Sequence, residues 1–190
     1  LKRKIIIVLG AVFVLLMTIT LIIHLMHDND SGRRVAIGGI IVSVLPMLLL
    51  FLKNNPFNIP VIIGYYVFLF CATFLGATLH FYVTFKWWDM ALHFYAGFFA
   101  GVIGISLYKL FIPQEVYKDV SRLILFLFVL SLGTLANALW EIYEFAGDQT
   151  VTHTMQKGGN TDTMYDLLFG IAGGLLAAIY ASSKNKRYEK

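Results

Sequence analysis

From Ile5 to Met26 the chain runs without a single Asp, Glu, Lys or Arg. About 20 consecutive apolar residues are what a helix needs to cross the hydrocarbon core of a bilayer. A spanning segment must satisfy its own backbone hydrogen bonds, and an unbroken run of this length does so as a helix. Five further apolar stretches follow, at about Val35–Leu52, Val61–Tyr82, Asp89–Phe111, Leu123–Phe145 and Asp162–Ala181. Polar or proline-bearing segments separate them: His27–Arg34, Lys53–Pro56 with Pro60, Thr84–Trp88, a loop through Pro113 and Arg122, and Ala146–Thr161. Only 14% of the 190 residues are charged, against about 25% in soluble domains. The expectation is an all-α, six-transmembrane-helix integral membrane protein.

The first run is too long for a signal peptide and lacks a small-residue cleavage site, so it reads as a retained helix. Residues 1–55 are expected to form two peripheral helices, and residues 56–190 a four-helix module. An even number of spans puts both termini on one side. That side carries Lys2, Arg3, Lys4, Lys53, Lys109, Lys118, Arg122 and the basic tail, Lys184, Lys186, Arg187 and Lys190. The other has Arg33, Arg34, Lys86 and Lys157. Cationic loops stay inside, so both ends are expected in the cytoplasm of a plasma (inner) membrane protein. The same topology explains the net charge of +4 without any nucleic-acid partner. The lone Cys71 excludes a disulfide framework within the chain and a cysteine metal cluster, and reads as packing.

With this topology the membrane-level acids and histidines fall at one depth, the outer leaflet. His80 ends the third span. Asp89 and His93 open the fourth, followed by Gly97 and Gly101 on the same four-residue stripe. Asn137, Glu141, Glu144 and Asp148 lie along the outer end of the fifth, one turn beyond Gly133. Asp162 and Asp166 open the sixth, followed by Gly170 and Gly174. Small residues at this spacing let helix backbones approach closely in lipid, which would draw the acid-bearing helix starts together. The likeness of the fourth and sixth stripes suggests a duplicated hairpin.

Ordinary roles account for part of this set. Asp89 and Asp162 stand at helix starts, where aspartate caps free N–H groups. Trp87, Trp88, Tyr82 and Tyr143 suit an interfacial aromatic belt. Glu141 and Glu144 are harder to explain structurally, because the dipole disfavours acids near a helix C-terminus. Asp166 and His93 lie a turn inward, beyond the reach of capping.

Carboxylates and histidine on facing helices are how bundles build metal sites, and this ligand set suits Zn, Mn or Fe. Glu141, Glu144, Asp162, Asp166 and His93 are the candidate ligands. Asp89, His93, Glu141 and Glu144 are the candidate acid–base groups, with His80, Asn137 and Asp148 secondary. The leading expectation is a metal-assisted hydrolase or transferase acting on a lipid or lipid-linked envelope substrate. The long outer loop, with His153, Lys157 and Gly158-Gly159-Asn160, can fold back as a lid. A carboxylate relay for ion or solute transport, or a non-catalytic accessory protein, are the alternatives. The bilayer itself is the certain partner, and a homo-oligomer is compatible with the chain.

The motifs W-W-D-x-x-L-H-F-x-x-G, W-E-x-x-E and D-T-x-x-D-x-x-x-G-x-x-G resemble those of the YjdF-like bacterial inner-membrane proteins and, more distantly, VanZ-like proteins. The resemblance covers about Val61 to Ala181. It implies motif positions at Asp89, His93, Glu141, Glu144, Asp162, Asp166, Gly170 and Gly174, in a bacterial envelope setting. It implies no established reaction. VanZ-like proteins more often carry Asn where this chain has Asp166 or Phe169.

Overall fold

A computed structural model describes residues 1–116, 120–152, 155–156 and 158–184, with Gln114 and Lys184 as backbone alone. Lys118, Asp119, His153, Lys157, Lys186, Arg187 and Lys190 lie outside the described residues. The chain is all-helical among the described residues. Six of its helical stretches are long and apolar enough to cross a membrane, in agreement with the expected spans. Leu15, Leu139 and Leu168 are each more than half exposed. Such outward leucines are stable against acyl chains, not water.

The chain divides into two compact units, Leu1–Trp88 and Asp89–Lys190. The first holds α1 (Lys2–Met26), α2 (Asp30–Val44) and α3 (Ile59–Leu69). Asn29 caps α2 by accepting the Gly32 N–H at 2.9 Å, and Asn58 caps α3 by accepting that of Val61 at 3.1 Å. Pro46 lacks the N–H that would continue α2, and the chain tightens into a 3-10 segment, Leu45–Phe51. The third span docks on this break. Tyr65 and Tyr66 donate their hydroxyls to the carbonyls of Val42 (2.7 Å) and Ser43 (3.0 Å). Phe13, Met17, Ile62 and Tyr66 form the core between the three helices. The third span thus packs with the first two, and the compact units part at Trp88–Asp89.

That span is also less regular than its hydropathy suggests. It widens into a π-helix over Phe70–Thr78, where Thr73 and Thr78 turn their hydroxyls onto backbone carbonyls. It then stops at His80, whose φ of 61° is left-handed, and restarts as the one-turn α4 (Phe81–Thr84). The expected continuous helix to Tyr82 is therefore broken. Phe81, Phe85, Trp87 and Trp88 pack as an aromatic cluster, with Phe81 edge-on to Trp88 at 5.0 Å.

The second unit holds α5 (Trp88–Phe111, counted here from Asp89), α6 (Arg122–Thr150) and α7 (Asn160–Lys184). Ser121 caps α6. One end of the unit is an apolar core of Tyr108, Leu125, Val129, Ala177 and Ala178. At its middle the helices meet on glycines. A Cβ at Gly97 would strike the Gly170 carbonyl, one at Gly173 the Phe94 carbonyl, and one at Gly133 the Gly97 carbonyl and the Gly174 Cα. This is the close approach expected of the glycine stripes. Helix α6 runs on to Thr150, past the expected end at Phe145. Asp148 secures the chain reversal beyond it, accepting the N–H groups of Met155 (3.1 Å) and Gln156 (2.9 Å) and the Thr152 hydroxyl.

Candidate metal and acid–base site

The polar end of the second unit lies where α5 and α7 begin and α6 ends. Gly97 and Gly170 decide its compactness. Because neither bears a side chain, the Asn137 amide lies directly against both backbones. Asn137, 1% exposed, uses its Nδ2 to donate to the Gly133 carbonyl at 2.9 Å. That carbonyl can only accept, so the network turns Oδ1 of Asn137 the other way, toward Nδ1 of His93 at 3.2 Å. The His93 ring therefore donates its Nδ1–H to Asn137.

Fixing one ring nitrogen aims the other. Nε2 of His93 lies 3.5 Å from Oε1 of Glu141 and 3.7 Å from Oδ1 of Asp89. Glu144 and Asp166 complete two overlapping groups around this imidazole: Asp89, His93 and Asp166, and His93, Glu141 and Glu144. Within each, one ligand atom per residue lies within 4.8 Å of the others. Glu144 is held by the indole of Trp140, which donates to Oε1 at 2.9 Å from one turn back on α6.

The charge balance of this group is lopsided. Four carboxylates surround one imidazole. Among the described residues of the unit, Lys109, Arg122 and Lys184 all stand at the opposite helix ends. Glu141 is 5% exposed and Asp166 2% exposed. Oδ1 of Asp166 has no hydrogen-bond partner among the described residues, and the side-chain partners near the Glu141 carboxylate are Thr163 and Gln156. Burying an uncompensated carboxylate costs on the order of several kcal/mol. A cation or shared protons must offset that cost. The donor set of carboxylate oxygens and one imidazole fits a divalent cation of the Zn, Mn or Fe type, and the Nδ1–H bond to Asn137 is the outer support that metal-binding histidines use.

The structure brings together Asp89, His93, Asn137, Glu141, Glu144 and Asp166. Asp162 accepts the Gly158 N–H at 3.3 Å and is not in either ligand group, but its carboxylate is near enough to act electrostatically on Asp89, His93, Glu141 and Asp166. Asp148 is engaged by the α6–α7 turn. His80 belongs to the first unit and is exposed. Trp140 was not among the sequence candidates, although its i,i+4 spacing to Glu144 signals the contact. Nor were Gln156 and Thr163, which are hydrogen-bonded to one another at 3.0 Å and line a cavity of about 730 Å³ whose wall includes Glu141. Only the folded loop reveals them.

A family model described as "Predicted membrane protein (DUF2238)" matches residues 9–187. An uncharacterized protein of Thermotoga maritima is 34% identical over 105 residues, which is 55% of this chain and 52% of that protein. The chain therefore matches about half the length of that relative. No solved structure matches. The YjdF-like and VanZ-like resemblances rest on the motifs alone.

Proposed function

The chain belongs to the DUF2238 family of predicted membrane proteins, and we propose that its second unit is a membrane-embedded metal site serving a hydrolase or transferase. The observation that carries this reading is Nε2 of His93 lying 3.5 Å from Glu141 and 3.7 Å from Asp89, beside the buried Oδ1 of Asp166. With its Nδ1–H committed to Asn137, the His93 ring turns Nε2 to those carboxylates. Such a contact is stable with a proton or a metal cation between nitrogen and oxygen. His93 and Glu141 would hold such an ion, with Glu144 and Asp166 as further oxygen donors. A bound divalent cation supplies Lewis acidity and makes water a nucleophile at neutral pH.

The chain's own residues supply the rest. Asn137 orients the imidazole, and Trp140 orients Glu144. Asp89, the most accessible of the four acids with its side chain 28% exposed, is placed to exchange protons with solvent. The substrate in this proposal is a lipid or lipid-linked envelope molecule. The excess of Lys and Arg near the termini supports cytoplasmic ends, an inner-membrane location and a site at the outer leaflet.

Elemental mass spectrometry of the detergent-purified protein tests the proposal. Stoichiometric metal in the wild type, lost in Glu141→Ala and Asp166→Ala, is the expected result. Folded, metal-free protein would instead assign the cluster to proton sharing between His93, Asp89 and Glu141, the relay reading. Metal-free wild type with unfolded variants would reduce it to a scaffold.

A further inference from the structure

We infer that the polar end of the second unit holds two divalent cations side by side, unlike in their ligands and in how readily they exchange. This deepens the proposed metal site and rests on it. The two ligand groups share His93 and do not merge: Asp89 and Asp166 come from the starts of α5 and α7, Glu141 and Glu144 from α6. Metal–ligand bonds of about 2.0–2.2 Å keep any two ligands of one ion within about 4.4 Å of each other. The donor atoms of each group lie within 4.8 Å of one another, whereas no such set takes in all five residues. One ion therefore cannot gather all four carboxylates, and each group has the reach for an ion of its own.

The imidazole makes the two positions unlike. Nδ1 of His93 is committed to Asn137, so only Nε2 can coordinate, and its lone pair serves one ion. Nε2 lies nearer Glu141, at 3.5 Å, than Asp89, at 3.7 Å. The Glu141–Glu144 position thus combines nitrogen with oxygen and is closed, since none of its three residues is more than 9% exposed. The other position has oxygen ligands alone, which suit Mn or Mg with water. It opens through Asp89, whose side chain is 28% exposed, so its ion exchanges faster. Asp166 stands in this second group and within reach of the shared His93. Its Oδ1 is buried and has no hydrogen-bond partner among the described residues, which leaves that carboxylate to bridge the two ions.

Manganese or zinc, each alone, added to the chelator-stripped full chain in detergent, tests this. Bound ions are counted by elemental mass spectrometry after equilibrium dialysis, and electron paramagnetic resonance reads the coupling between manganese ions. The expected result is two ions per chain, a spin-coupled manganese spectrum, and release of one ion on gel filtration. Asp89→Asn, which keeps a residue able to cap the helix start, is expected to bind one ion and to give the spectrum of isolated manganese. One ion in the wild type overturns the inference and leaves the proposed metal site standing, whereas none of either metal overturns both. Two ions in Asp89→Asn, or none in a folded Asp89→Asn, overturns the division of ligands between the positions. The wild-type count decides the number of ions whether or not the variant folds.

Discussion

Asn137 illustrates how much of a site can depend on a residue that touches neither solvent nor substrate. Its amide reads the Gly133 carbonyl on one side and fixes the His93 ring on the other. Asn137→Ala removes both bonds and leaves the ring free to turn. The expected loss is about 10–100-fold in metal affinity, the usual worth of an outer-sphere partner, measured by competition with a chelating dye. Glu141→Gln makes an opposite prediction for the two states of the protein. The neutral amide removes an unpaired buried charge, so the metal-free protein gains thermal stability. The stabilisation that added metal gives the wild type is lost, because that gain follows the occupied fraction. Melting curves with and without metal read both signs at once. His93, Glu141 and Asp166 were legible in the chain because ionisable residues a turn inside an apolar helix are costly without a purpose. Asp148 was legible for the same reason, and its carboxylate holds the turn after α6 while lining the same cavity as Glu141.

At the scale of elements, the glycines set the geometry. Gly97→Ala or Gly170→Ala puts a methyl into a neighbouring carbonyl or into the Asn137 amide. Backbone cannot yield as a flexible side chain can, so the helices must separate. Each change is expected to cost about 1–3 kcal/mol, as overpacking does, and to lower metal affinity through Asn137. Gly38 on α2 is the control, since a methyl there meets nothing within 4 Å. Gly38→Ala should be neutral or stabilising by up to about 1 kcal/mol through helix propensity. Unfolding of the detergent-solubilised variants by denaturant ranks them. Six periodic apolar runs made the spans readable in advance. The failures fall where local chemistry overrides hydropathy, at the π-helix and left-handed His80 in the third span and at the prolonged end of α6. Both places have a polar side chain bonded to backbone, a contact that no apolar average registers.

For the whole molecule, the proposed orientation predicts that a fluorescent-protein fusion after Lys190 is bright and a periplasmic phosphatase fused there is inactive. The reverse pattern would place the site at the cytoplasmic face instead. Sequence alone determined that this chain is an all-helical, multi-pass membrane protein, because hydrocarbon thickness and backbone satisfaction leave no other solution for such runs. It also determined which residues are too polar for their surroundings, since that judgement needs only position and transfer cost. Only the tertiary structure decided which of those residues meet. Helical spacing places side chains on a face of their own helix but says nothing of the rotation and depth of its neighbours. Those are set here by glycine contacts between α5, α6 and α7. Packing likewise joined the third span to the first two, through hydroxyls of Tyr65 and Tyr66 that reach the carbonyls beside Pro46. Within the second unit, the glycine contacts and Asn137 aimed Nε2 of His93 at two carboxylates, and that direction, more than the presence of the residues, turns a list of acids into a site.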